Sequence, residues 1–194
     1  MQHGSDAAEK PRALVVDDEK QVADAYALRL EGVCDVDTAY SGGEALSAVE
    51  ERDMDVVLLD RHMPGMSGDE VLSELDERDY YGRVIMVTAI DPSFDVLEMP
   101  FDDYLCKPIE REGVRAAVRQ QCSVLGYETL GEYFSVESKR AVLEAELPPA
   151  ELEDNERYQG LGERATTLER RARRVLEDPD PLFDRFETVE REGR

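Results

Sequence analysis

The sequence predicts a doubly wound α/β domain, a five-stranded parallel sheet with helices on both faces, followed by an α-helical hairpin. Three observations lead there. Short apolar runs rich in β-branched residues recur through the first two thirds of the 194 residues. Lacking polar alternation, they read as strands buried on both faces. Segments with apolar residues at helical spacing separate them, so each strand feeds a crossover and the strands run parallel. From Tyr127 on the strand runs cease and helical spacing takes over.

The first run, Arg12 to Asp18 (RALVVDD), ends in two adjacent carboxylates. Val22, Ala25, Tyr26 and Leu30 then fall at helical spacing, with Asp18 and Gln21 placed as cap and partner of a capping box. A second short strand lies around Val33 to Ala39. Ser41 and Glu44 repeat the capping pattern ahead of a helix that turns Ala45, Ala48 and Val49 inward, with Gly42 and Gly43 softening its first turn. The third run, Val56 to Leu59, delivers Asp60 to its carboxyl end, where Pro64, Gly65 and Gly68 force a tight loop. A helix from about Asp69 to Arg78 follows, with Val71, Leu72 and Leu75 on one face. Arg83 to Ala89 (RVIMVTA) is the fourth strand and ends in Thr88. Asp91-Pro92 and Pro100 leave only Ser93 to Met99 for the next helix, about two turns. The fifth strand, around Asp103 to Cys106, ends in Lys107-Pro108. A helix from about Glu110 to Leu125 then buries Val114, Ala117, Val118 and Leu125.

Composition narrows the setting. Acidic side chains outnumber basic ones 46 to 23, a net charge of −23. Such self-repulsion opposes compaction in dilute buffer, whereas at about 1 M salt the Debye length falls to roughly 3 Å. This is the composition of a halophile's protein, and it leaves no general basic surface for nucleic acid. Cys34, Cys106 and Cys122 show no CxxC spacing, so neither a disulfide framework nor a zinc site is indicated. The polar start lacks a signal-peptide core, and no apolar run approaches the ~20 residues of a membrane span. A cytoplasmic protein without membrane association is expected.

The strand ends carry the chemistry. Asp17 and Asp18, Asp60, Thr88 and Lys107 all fall at carboxyl ends of strands, where open α/β sheets bind ligands. Crowded carboxylates repel one another unless a divalent cation joins them, and hard oxygen donors with room for water suit Mg²⁺. Lys107 adds a point positive charge and Thr88 a hydroxyl donor, both suited to phosphoryl oxygens. A carboxylate in that company is equipped to accept a phosphoryl group as an aspartyl phosphate.

These residues resemble the receiver domains of two-component response regulators: the acidic pair Asp17-Asp18, Asp60 with its MPGMSG loop, Thr88, Tyr104 and Lys107-Pro108, over roughly Arg12 to Leu125. The resemblance implies the flavodoxin-like (CheY-like) sheet order 2-1-3-4-5. It implies Mg²⁺ held by Asp18, Asp60 and the backbone carbonyl of His62, with Asp17 acting through water. It further implies phosphoryl transfer from a sensor histidine kinase to Asp60, with Thr88 and Tyr104 as switch residues. His62 enters as a carbonyl, its ring near the mouth of the site. The shortened fourth helix puts in doubt the use of that face for dimerisation.

Residues 1–11 read as a tail, 12–126 as the receiver and 127–194 as a helical domain. In the last, Thr129 and Glu132 make a further capping-box pattern before a helix that ends near Leu147, ahead of Pro148-Pro149. Asn155 opens a second helix, in which Tyr158, Leu161, Ala165, Leu168, Ala172 and Val175 form a heptad-like seam. A short proline-containing loop between them makes an antiparallel hairpin, and Leu182 to Val189 adds a terminal helix. The stretches YFSVESKRAVLEAELPPAEL and Tyr158 to Leu168 resemble the HalX domain of haloarchaea, a family that brings no defined activity. Expected partners are the kinase and, through the tail, another copy or a partner protein. The alternative is a DNA-binding transcriptional regulator, for which the one local basic cluster is Arg170, Arg171, Arg173 and Arg174. An aspartate-nucleophile phosphohydrolase is the third reading, weakened because such enzymes place an acid two residues after the nucleophile, where this chain has His62.

Overall fold

In a computed structural model, residues 9–89 and 94–185 are described. They form two compact units, Lys10–Cys122 and the residues from Ser123 on. No helix among the described residues is long and apolar enough to cross a membrane.

The first unit is a parallel five-stranded sheet in the order β2-β1-β3-β4-β5. Its strands are β1 (Arg12–Val16), β2 (Asp35–Ala39), β3 (Val56–Leu59), β4 (Arg83–Thr88) and β5 (Asp103–Cys106). The helices are α1 (Lys20–Leu30), α2 (Gly42–Glu51), α3 (Gly68–Glu77) and α4 (Arg111–Glu146). Successive side chains of a strand point to opposite faces. Leu14, Val16, Val57, Leu59, Val84 and Met86 pack on one side with Ala45 and Leu46 of α2 and Val71, Leu72 and Leu75 of α3. The alternate residues Ala13, Val15, Val56, Leu58, Ile85 and Val87 are buried as well, as are Ala23, Tyr26 and Leu30 of α1 and Val114, Ala117 and Val118 of α4. Burial on both faces is why the strands read as unbroken apolar runs.

Several local expectations are corrected. The cap of α1 is Glu19, without a side-chain bond. Asp17 Oδ1 accepts from the Glu19 N–H at 2.9 Å, which delays entry into the helix by one residue and leaves Asp18 exposed. Ala23 is buried in α1 and Ala25 is exposed. Ser41 does accept from the Glu44 N–H, but Glu44 answers to the N–H of Tyr40. The full capping box is at Ser67 and Glu70, at the head of α3. After β4 the chain makes a 3-10 helix, Phe94–Glu98, where two α-helical turns were expected. Ser93 lies outside the described residues.

The largest correction concerns α4, a continuous helix of 36 residues where two helices were expected. Thr129 caps nothing: its Oγ1 donates to the Leu125 carbonyl at 2.7 Å, one turn back. The apolar face simply continues through Leu125, Leu130 and Val136, all buried. Gly126 sits within it because a Cβ there would lie 2.5 Å from Leu176 Cδ2.

In the second unit, the link after α4 is itself a short helix, α5 (Pro149–Glu153), and Asn155 caps α6 (Glu156–Val175) through its side chain. Leu130 meets Ala172 and Phe183, while Val136 meets Ala165 and Leu168. Glu132 pairs with Arg164, and Glu144 accepts from the Tyr158 hydroxyl. Contacts that ascend along one helix as they descend along the other define an antiparallel hairpin. The heptad-like seam of α6 is thus spent within the chain. Residues 180–185 are helical, and the rest of the expected terminal helix lies outside the described residues.

Candidate functional site

Backbone register assembles the site. The Asp60 N–H donates to the Val16 carbonyl at 2.9 Å, which puts the residue after β3 beside Asp17 after β1. On the other side, the Lys107 N–H donates to the Thr88 carbonyl at 2.7 Å. The Lys107 side chain then reaches past the end of β4, and Nζ donates to Asp17 Oδ2 and Asp60 Oδ1, each at 2.6 Å. Residues far apart in sequence therefore meet at one ammonium group.

Asp17 and Asp60 are 3% and 7% exposed. Isolated carboxylates that deep would be costly, and Lys107 offsets much of that cost. Burial opposes the charge on Lys107. Its hydrogen bonds to Asp17 and Asp60, together with their charges, outweigh burial and hold the ammonium above the ordinary lysine value. Two anions against one cation leave the cleft negative. Each carboxylate keeps a further bond: Asp17 Oδ1 to the Glu19 N–H, and Asp60 Oδ2 to the His62 N–H at 2.9 Å.

The other expected residues fall around this core. Thr88 is 1% exposed at the end of β4. Tyr104, on β5, is half-buried, its ring 5.6 Å from that of Phe101. His62 and Asp18 are exposed. The loop from Asp60 to α3 is anchored by Met63, which is buried, and by Met66 against the same core. Gly65 has φ +79°, in the left-handed region. Gly68 packs so closely that a Cβ would overlap the Asp60 carbonyl oxygen and lie 2.8 Å from Arg61 Cα.

Mg²⁺ can be tested against the donor set. Two buried carboxylates that outnumber the one ammonium between them supply hard oxygens and a surplus negative charge, which fit the ion. The three-carboxylate cluster expected from sequence is not formed: among the described residues no three His, Cys, Asp or Glu side chains gather closely enough to hold a metal. A cation that keeps much of its water needs fewer protein ligands, so the fit stands with Asp17 and Asp60 as its core.

Sequence reasoning overlooked Arg61 and Asp69. Arg61 Nε lies 3.1 and 3.2 Å from the two Asp69 oxygens, and Nη2 is 3.2 Å from Oδ2. Nothing in their spacing announces the pair, because it forms only once the loop has closed. Asp55, just ahead of β3, is a further buried carboxylate outside the site. Its Oδ2 accepts from the Arg12 N–H at 2.8 Å at the opposite end of the sheet from Asp60.

Comparison with known proteins agrees with this geometry. Residues 13–119 match the family model of the response regulator receiver domain, and residues 123–190 match that of the HalX domain. A candidate transcriptional regulator of Haloferax volcanii is 38% identical over 175 residues, 89% of this chain and 30% of that protein. The transcriptional regulatory protein CutR of Streptomyces coelicolor is 42% identical over 113 residues, 56% of this chain and 52% of CutR. The chain thus spans from under a third to about half the length of these relatives. Among solved structures, a CheY-like response regulator receiver domain protein from Methanospirillum hungatei superposes with TM-score 0.58 at 26% identity, covering 62% of this chain and 99% of that one. The BeF3-activated DrrB receiver domain superposes with TM-score 0.53 at 30% identity, covering 57% and 96%. With the strand order, the Lys107 junction and the matched models in agreement, the chain belongs to the response regulator receiver family of two-component systems, and a HalX domain follows its receiver.

Proposed function

We propose that Asp60 is the phosphoryl acceptor, that a sensor histidine kinase is the donor, and that the helical region from Tyr127 on is the output module of a receiver extending over 12–126. The observation that carries the reading is the single ammonium of Lys107 held 2.6 Å from both Asp17 and Asp60. An Asp60 carboxylate oxygen attacks the phosphorus of phosphohistidine; the O–P bond forms as the P–N bond breaks, and the imidazole leaves and takes a proton. Asp17 and Asp60 would hold Mg²⁺ at their core, with Asp18, exposed in this structure, and the His62 carbonyl turning in to complete the ligands; the ion when bound would neutralise charge on the transferring group. Lys107 already contacts the acceptor and needs little motion to follow the charge onto the phosphoryl oxygens. Thr88 donates its hydroxyl to a phosphoryl oxygen, and Tyr104 repacks beside Phe101 as Thr88 moves. His62, an exposed imidazole where phosphohydrolases have their acid, favours a signalling receiver over a turnover enzyme.

The output acts through protein contacts. Of the arginine cluster, Arg174 is 2% exposed and Arg173 is paired with Glu169 and Asp180, while Arg170 is exposed, so the cluster presents a smaller basic footprint than its four arginines suggest. DNA binding remains the second reading because the Haloferax relative carries a regulator's name. With acetyl phosphate as donor, wild-type protein is expected to become labelled only with a divalent cation present, and Asp60→Asn to stay unlabelled. Equal labelling of both, or labelling in excess chelator, overturns the assignment.

A further inference from the structure

Arg61 directly follows the acceptor, yet its side chain turns to the start of α3. There the guanidinium meets both oxygens of Asp69, and at 12% side-chain exposure it is well enclosed, against 45% for Asp69. The same span is closed a second time by the backbone, where the Gly68 N–H donates to the Arg61 carbonyl at 2.9 Å. Gly68 has no room for a side chain against Asp60, and the Ser67–Glu70 box fixes the head of the helix that carries Asp69. The segment from Arg61 to Asp69 is therefore a closed ring, latched by one backbone bond and one two-pronged ion pair. Inside it sits His62, whose N–H holds Asp60 Oδ2 at 2.9 Å.

We propose that Arg61 and Asp69 are positioning residues for the cation site: their ion pair fixes the loop after Asp60 so that the acceptor carboxylate and the His62 carbonyl are presented together to a divalent ion. This rests on the assignment of Asp60 as acceptor. A planar fork suits the role, since two parallel bonds define an orientation and not only a distance. Groups that orient ligands in this way commonly govern affinity nearly as strongly as the ligands themselves.

The test uses the full chain in molar KCl, with MgCl₂ titrated into unphosphorylated protein by calorimetry. Asp69→Asn keeps the side-chain shape, so it loosens the fork with little risk to folding; Arg61→Ala removes it. Both are expected to bind Mg²⁺ about tenfold more weakly, with Arg61→Lys in between because it keeps the charge but loses the fork. Labelling by acetyl phosphate should recover towards the wild-type rate at saturating Mg²⁺, and the melting temperature of Asp69→Asn in chelator should match wild type. Mg²⁺ affinity unchanged in both variants overturns the latch, as does a loss that merely tracks the fraction unfolded. Labelling that survives Asp60→Asn sinks the acceptor assignment instead, whatever the latch variants do.

Discussion

Lys107→Met should destabilise the receiver sharply when no divalent cation is present. The substitution keeps the length and apolar stem of the side chain and removes the charge, leaving Asp17 and Asp60, 3% and 7% exposed, facing each other without their shared cation. Removing one partner of a buried ion pair costs roughly 3–5 kcal/mol. The Lys107 side chain is 18% exposed, so water screens part of this and about 3 kcal/mol is the working figure. For a domain of this size that is a fall in melting temperature of roughly 10 °C. Circular-dichroism melts of both proteins in molar KCl with EDTA measure it. Millimolar Mg²⁺ should restore part of the loss, and Asp17→Asn in the Lys107→Met background should restore part of it without metal, because either step relieves the carboxylate repulsion. Since the folded-state pKa of Lys107 lies above its ordinary 10.5, the wild-type advantage is fully present below that pH. It fades as pH rises through the higher native value. An unchanged melting temperature, or a wild-type advantage that grows with alkalinity, refutes the reasoning.

Three further outcomes follow from the same contacts. Gly68→Ala pushes a methyl group into the Asp60 carbonyl, and the shift of the loop should cost roughly 1–3 kcal/mol; labelling of Asp60 should slow more than that instability explains, as a melt and a labelling time course on one sample will show. Burial and the nearby Asp55 charge push the Cys34 thiol up to about 12, and Cys122 is buried too, so a thiol reagent at neutral pH should titrate only Cys106 in the native protein and all three cysteines in denaturant. Melting temperature should climb with KCl towards the molar range, because screening relieves repulsion in a chain of net charge −23; a flat or falling trend contradicts the halophile reading.

What the sequence disclosed, and what it hid, follows from the range of the interactions involved. The strands were readable because two-sided burial writes itself as unbroken apolar runs such as Val56 to Leu59, and the strand ends because Asp17, Asp60, Thr88 and Lys107 directly follow or finish those runs. Features decided by contacts across the fold were not. Thr129 and Glu132 spell a capping box, yet the continuing burial of Leu130 and Val136 against α6 outweighs that local preference and α4 runs through. Asp18 looks like a cap, but Asp17 takes the Glu19 N–H first. The α6 seam was readable as a seam; that it packs within the chain depends on its partner residues in α4. The Arg61–Asp69 pair exists only because Gly68 lets the loop close.

The central claim, that Asp60 carries the phosphoryl group, is tested most directly by locating it. Wild-type protein is incubated with acetyl phosphate and Mg²⁺ and then reduced with borohydride, which converts an aspartyl phosphate to homoserine. Peptide mass spectrometry then reads the position of the change. The expected result is homoserine at position 60 and nowhere else, absent when Mg²⁺ is chelated. Homoserine at Asp17, Asp18 or Asp55, with position 60 unmodified, would contradict the account.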